Sequence, residues 1–205
     1  SKLLDIKIKS MLSLKDSLAV LKKTEALKDG HFILSSGLHS PKYVQCAKLL
    51  SFPKKAEKIC KSLALKIKKK FKKIDIILSP AIGGIVIGYE IGRILKIQTI
   101  FCERVNGKFN LRRGFFIKPR SKVLIIEDVI TTGKSSMECL KLIKDSKASI
   151  IGFACIIDRS NKKELKIKKK ILSQVKLNIP TFKKTNIPKY LKRIPITSPG
   201  SRRIK

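Results

Sequence analysis

Two adjacent acids, Glu127 and Asp128, stand just ahead of a run of small hydroxyl residues, Thr131-Thr132-Gly133-Lys134-Ser135-Ser136. Neighbouring carboxylates can accept hydrogen bonds from a polyhydroxyl ligand or face a metal-bearing group. A Thr/Gly/Ser turn entering a helix offers backbone N–H groups and the positive end of the helix dipole to an anion. Together they suit a ligand with a phosphate at one end and hydroxyls at the other. Gly133-Lys134-Ser135 also matches the end of a nucleotide P-loop, but that motif needs a glycine five residues earlier, where Asp128 stands. The spacing excludes it.

The elements that must position these residues follow from apolar patterning. Val123–Ile126 is a short continuous apolar run, read as a strand buried on both faces, which places the two acids at the mouth of a ligand crevice. Met137, Leu140 and Ile143 carry the helix beyond the loop. Ile74–Leu78 predicts a second strand, ending in Ser79-Pro80-Ala81-Ile82-Gly83-Gly84 and followed by a helix over Ile85–Leu95. The paired glycines let backbone approach a second phosphate. Ile97–Cys102 predicts a third strand, and Ser149–Ile157 a last core strand ending in Asp158-Arg159-Ser160. An arginine there can grip a carboxylate through two parallel N–H bonds, or simply form a surface salt bridge. Strands alternating with helices predict an α/β fold, a mainly parallel sheet flanked by helices.

The remaining chain is read more coarsely. Leucines from Leu12 to Leu27 suit a helix stopping at Asp29-Gly30, followed by two short strands, His31–Leu34 and Tyr43–Cys46, around a Ser/Gly/Pro turn. His31 and His39 have no third ligand nearby and read as turn or surface residues. Lys54–Lys73 predicts an amphipathic helix with a solvated lysine face. Glu103–Gly114 is polar and carries four cations, Arg104, Lys108, Arg112 and Arg113, and suits either a functional loop or a solvated hairpin. Lys162–Lys170 reads as an exposed connection, and Gln174–Phe182 as a strand returning to the N-terminal hairpin.

Net charge is +34 over 205 residues. Nucleic-acid binding is one reading. A lysine- and isoleucine-rich coding bias is the other, and it fits better: lysines run through the whole chain, aromatics are few, and no reader module is present. The charge also favours a polyanionic substrate. Five scattered cysteines without a CxxC pair argue against a metal finger or disulfide framework and predict reduced core thiols. The first residues lack a signal-peptide core, and no apolar run approaches the ~20 residues of a membrane span. A cytoplasmic protein is expected.

With these motifs in place, Val123–Ser136 resembles the phosphoribosyl-diphosphate (PRPP) signature of type I phosphoribosyltransferases. HFILSSGLHSPKYVQC resembles the hairpin of the orotate-specific members of that family. The resemblance runs from about His31 to Arg159, with a fainter match at each end, SPGSRRIK being the one at the C-terminal side. It implies that Glu127 and Asp128 hold ribose hydroxyls, and that Val129, Ile130, Thr131, Thr132, Gly133, Lys134 and Ser135 wrap the 5′-phosphate. Gly83-Gly84 would meet the diphosphate. Arg104 and Lys108 would be catalytic cations on a loop that closes over a neighbouring subunit's site. Orotate would meet Arg159, Thr131 and the backbone of Tyr43 and Val44. Mg²⁺ would be held mainly by PRPP rather than by the protein, and the enzyme would be a homodimer with shared sites. One domain over 1–205 is implied, with a core of about 54–159 and a small hood from about 1–50 and 160–205. Two lysines of some relatives are replaced here, by Ser35 and Gly83. A purine-specific relative would share the PRPP loop but gives no reason for the hairpin or for Arg159. A PRPP-sensing RNA-binding regulator and a non-catalytic subunit are the remaining alternatives.

Overall fold

A computed structural model of the chain describes residues 11–169 and 171–197. In order it contains α1 (Leu14–Lys23), β1 (Leu27–Ile33), β2 (His39–Val44), α2 (Cys46–Leu50), α3 (Pro53–Lys70), β3 (Ile76–Pro80), α4 (Gly83–Leu95), β4 (Thr99–Val105), β5 (Lys108–Leu111) and β6 (Lys122–Ile130). Then follow α5 (Lys134–Asp145), β7 (Ser149–Asp158), β8 (Ile171–Lys176), a 3-10 turn (Lys184–Asn186), α6 (Lys189–Lys192) and β9 (Ile196–Thr197). The main sheet has the order β5-β4-β3-β6-β7-β8, parallel except for the β4–β5 pair. A second sheet, β2-β1-β9, carries the N-terminal hairpin.

Alternation along the central strands divides the interior in two. Ile77, Leu124, Ile126, Ala154 and Ile156 face one cluster, closed by Ile59, Leu63 and Ile67 of α3 and Ile87 and Ile91 of α4. Ile76, Leu78, Val123, Ile125, Phe153 and Cys155 face the other, closed by Cys139 and Ile143 of α5. Both faces are thus dry, which is why β6 reads as one unbroken apolar run. Gly84, Gly88 and Gly92 lie one turn apart on α4, and a Cβ on any of them would meet β3, β4 or the segments beside them: Ser79 and Pro80 at Gly84, Ser79 and Thr99 at Gly88, Thr99 and the Ile97 carbonyl at Gly92. Their bare backbone lets α4 lie tight on the sheet.

Several expected boundaries move. The first helix stops at Lys23, not Gly30. Thr24 Oγ1 donates to the carbonyls of Val20 (2.9 Å) and Leu21 (3.1 Å), and Glu25 turns left-handed at φ 60°, so Leu27–Gly30 enters β1 instead. Cys46 opens α2 rather than closing a strand. The helix expected over Lys54–Lys73 ends at Lys70, and the strand expected from Ile74 begins at Ile76. Ser149–Asp158 is not the last core strand: β8 pairs parallel on its outer side, so Gln174–Lys176, the start of the Gln174–Phe182 segment, is core sheet. Only Phe182 reaches the hairpin, exchanging both backbone hydrogen bonds with His39 at 2.8 Å.

Lys162–Lys170 is not simply exposed, since Ile167 is buried in the second cluster. His31 and His39 are buried rather than superficial. Their rings meet at 2.7 Å (Nε2 to Nδ1), and the Ile194 carbonyl lies 3.1 Å from His31 Nδ1. The terminal SPGSRRIK and residues 1–10 lie outside the described residues.

Candidate active site

Register brings the functional stretches to one edge. Pro80 pairs with Cys102, Leu78 with Ile125, Glu127 with Cys155 and Ile130 with Asp158. The carboxyl ends of β3, β4, β6 and β7 therefore finish nearly level, and their loops share a crevice.

At its centre Glu127 is 8 % exposed and accepts a hydrogen bond from Ser136 Oγ on the first turn of α5. Burial, with a smaller push from Asp128, raises the Glu127 carboxyl to about 7, against the pull of Ser136. Burial likewise raises Asp128, opposed by the Val129 N–H donating to Oδ1 at 2.8 Å. Among the described residues neither acid has a cationic partner. A Cβ on Gly83 would lie 2.8 Å from Asp128 Oδ1, so the glycine lets the β3–α4 loop close on the acid. From the hairpin side, Cys46 Sγ donates to the Asp128 carbonyl at 3.9 Å, so the Tyr43–Cys46 segment ends directly on the acid pair.

The phosphate-loop candidate is built as its residue types suggest. Gly133 is left-handed (φ 74°) at the cap of α5 and gives no side-chain cap bond, so N–H groups of the first turn remain for a ligand. Thr132 Oγ1 reaches the Lys134 N–H at 3.3 Å. Ile167 packs where a Gly133 Cβ would stand (2.7 Å to Cγ1), and the Lys166 N–H bonds the Thr132 carbonyl at 2.7 Å. The stretch after β7 thus braces the loop from outside, which its lysine content concealed.

Arg159 follows β7, its backbone N–H on the Ile130 carbonyl at 2.9 Å. Among the described residues its Nε is buried without a hydrogen-bond partner, and burial depresses its pKa below the usual arginine value. Arg104 is placed differently from its neighbours. Asn106 and Gly107 are both left-handed (φ 50° and 77°), so Glu103–Gly114 contains a tight β4–β5 hairpin. Arg104 lies over the Phe109 ring at 4.1 Å, pairs with Glu138 of α5 at 2.5 Å and bonds the Gly107 carbonyl at 2.9 Å. Its charge is engaged within its own chain. Lys108 is exposed and unpaired among the described residues.

No group of three His, Cys, Asp or Glu capable of holding a metal forms among the described residues. Two neighbouring carboxylates are hard oxygen donors that fit Mg²⁺, with the other ligands supplied by a substrate. A cavity of about 730 Å³ lies away from the crevice, between the ends of α3 and α4 at Phe71, Ile74, Leu95 and Ile97.

The buried Glu127 carries a stability consequence. A carboxyl with a raised folded pKa holds its proton more tightly folded than unfolded, so stability falls as pH rises from the usual glutamate value, 4.5, towards about 7, and is level above. Glu127→Gln keeps an acceptor for Ser136 and is therefore expected to stabilise the unliganded chain at pH 8, by on the order of 2–3 kcal/mol. The gain should vanish near pH 4.5, which calorimetry at the two pH values will read. Equal melting temperatures at pH 8 would contradict it.

Residues 52–188 match the family profile described as "Phosphoribosyl transferase domain". The chain is 42% identical over 190 residues to an orotate phosphoribosyltransferase of Caulobacter vibrioides, covering 93% of this chain and 97% of that one. It is 44% identical over 193 residues to an orotate phosphoribosyltransferase of Parvibaculum lavamentivorans, covering 92% and 99%. Among solved structures, an orotate phosphoribosyltransferase from Francisella tularensis superposes with TM-score 0.61 at 25% identity, over 78% of this chain and 84% of that one. An adenine phosphoribosyltransferase from Leishmania tarentolae does so with TM-score 0.59 at 14% identity, over 81% and 90%. Shape alone therefore spans enzymes named for different bases, and the sequence relatives separate them. The chain belongs to the phosphoribosyl transferase family and, within it, to the orotate phosphoribosyltransferases.

Proposed function

We propose that this chain transfers the 5-phosphoribosyl group of PRPP to N1 of orotate, giving orotidine 5′-phosphate and diphosphate, a step of pyrimidine nucleotide synthesis. One observation carries the reading: among the described residues, buried Glu127 and half-buried Asp128 have no cation, a buried Arg159 nitrogen has no anion, and all three lie towards the carboxyl ends of adjacent strands at one crevice. Each is costly alone, and each is compensated by one half of this substrate pair.

The C1′–O bond to diphosphate breaks as the bond to N1 forms, the N1 proton passes to the released diphosphate or to solvent, and the ribose ring gains positive charge in the transition state. Glu127 and Asp128 hold the ribose hydroxyls and stabilise that charge. The Thr131–Ser135 turn and the first N–H groups of α5 bind the 5′-phosphate, with Val129 and Ile130 completing the backbone around it. Gly83-Gly84 receives the diphosphate. Mg²⁺ bound to PRPP would neutralise the leaving group. Arg159 takes the orotate carboxylate, beside Thr131 and the Tyr43–Val44 backbone. Arg104 and Lys108 serve the diphosphate, Arg104 once it leaves Glu138. The hood is assigned to β1, β2, β9 and the stretch from Phe182 to Ile194 that meets the hairpin.

Arg159→Ala should raise KM for orotate about 10- to 100-fold, the loss of a charge-assisted contact of ~1.5–3 kcal/mol, with KM for PRPP little changed. Equal losses for both substrates would make Arg159 structural.

A homodimer is part of the proposal. Ile82, Val86 and Tyr89 recur at helical spacing along the outer face of α4 and are 86%, 52% and 68% exposed. Ile82 belongs to the β3–α4 loop, so a second copy seated on this stripe would stand beside the crevice. Sedimentation should show a dimer of the intact chain that Tyr89→Glu weakens; a monomer at micromolar concentration would remove this part. All five cysteines are buried and free, which supports a reducing, cytoplasmic setting.

A further inference from the structure

We infer that Lys176, with Asp158 and Ser160, is a positioning device that keeps Arg159 available for the orotate carboxylate; the inference rests on the role given to Arg159 above. Asp158 and Lys176 are paired across β7 and β8. Lys176 Nζ donates to Asp158 Oδ2 at 2.8 Å, to Ser160 Oγ at 3.0 Å and to the Ser160 carbonyl at 3.1 Å. Three contacts match the three protons of an ammonium. Asp158 Oδ1 accepts the remaining bonds, from the Ser160 N–H at 2.9 Å and the Ser160 hydroxyl at 2.6 Å.

The two residues flanking Arg159 are therefore bound to each other and to one lysine, while Arg159's own N–H is held by Ile130. The backbone that launches the guanidinium is fixed from both neighbouring strands. The network also directs charge. Asp158 is the carboxylate nearest to Arg159 in sequence and is buried, so without a partner it would compete with a substrate carboxylate for the guanidinium. Lys176 and Ser160 occupy both of its oxygens, and among the described residues Arg159 Nε stays unpaired. Lys176 itself is 57% exposed, an outer residue whose only ionic contact among the described residues is Asp158. The lysine end of the pair lies in solvent while the carboxylate is buried, so removing the lysine leaves a buried charge to find another partner. The pair's value lies in what it prevents and orients.

Three variants of the intact enzyme test this. Lys176→Met should raise KM for orotate about tenfold, with KM for PRPP changed less than twofold and the melting temperature lowered, because Asp158 is left buried without its partner. Lys176→Arg, which can still donate to Asp158, should restore most of the loss. Ser160→Ala, which keeps every charge, should raise the orotate KM by a smaller factor in the same direction. In an Arg159→Ala background, Lys176→Met should add nothing, because it acts through Arg159. Equal effects on both substrates, no effect, or a full additional effect in the Arg159→Ala background would each overturn the inference. If Arg159→Ala itself leaves the orotate KM unchanged, the fault lies in the reading of Arg159, and this inference falls with it.

Discussion

Asp128→Asn is expected to lower kcat by about 10²-fold or more while leaving the melting temperature unchanged or higher. Asparagine has the same shape and keeps an oxygen for the Val129 N–H, now 2.8 Å from Asp128 Oδ1. Its volume also suits the close approach of Gly83. What it removes is a negative charge in a half-buried position, where water screens electrostatic terms less than in bulk. The folded state holds that charge at a cost, as the raised pKa shows, so its loss relieves the resting protein. Only a ring that becomes positive in the transition state needs it. A marked fall in melting temperature would make Asp128 structural, and unchanged turnover would remove it from the mechanism.

Gly133→Ala is expected to damage PRPP binding and stability together. The residue sits at φ 74°, where an L side chain costs about 1–2 kcal/mol, and the new Cβ would lie 2.7 Å and 2.8 Å from Ile167 Cγ1 and Cδ1. Relief requires shifting either the cap of α5 or the braced segment after β7, and both hold the phosphate loop. KM for PRPP should rise at least about tenfold, with a fall of several degrees in melting temperature. Adding Ile167→Val removes part of the clash but not the backbone strain, so recovery should be incomplete. A Gly133→Ala enzyme with normal KM for PRPP would show that the loop does not bind it.

What was legible in the chain follows from how local each signal is. Val123–Ile126 announces its strand because a parallel strand dry on both faces must be apolar throughout, and the acids and hydroxyls after it sit where such strands bind ligands. Their convergence with Gly83 and Arg159 followed from topology, since parallel strands end at one edge. The β4–β5 hairpin is one of two readings the sequence allows: Asn106-Gly107 is a strong two-residue turn signal, but the surrounding cations equally suit an open functional loop. The glycine stripe of α4 was also in plain view, at a spacing of four, but its meaning needs the sheet against which it packs. The burial of His31 and His39 and the bracing by Ile167 depend on contacts with Ile194 and Gly133, distant in sequence, and no local pattern carries them. Arg104's pairing with Glu138 joins two elements in the same non-local way.

The central claim is the pairing of substrates, and one assay reads it most directly. Purified protein mixed with orotate, PRPP and Mg²⁺ should consume orotate and release diphosphate in equal amounts, with no consumption when PRPP or Mg²⁺ is left out. Consumption of adenine or hypoxanthine with orotate untouched would contradict it.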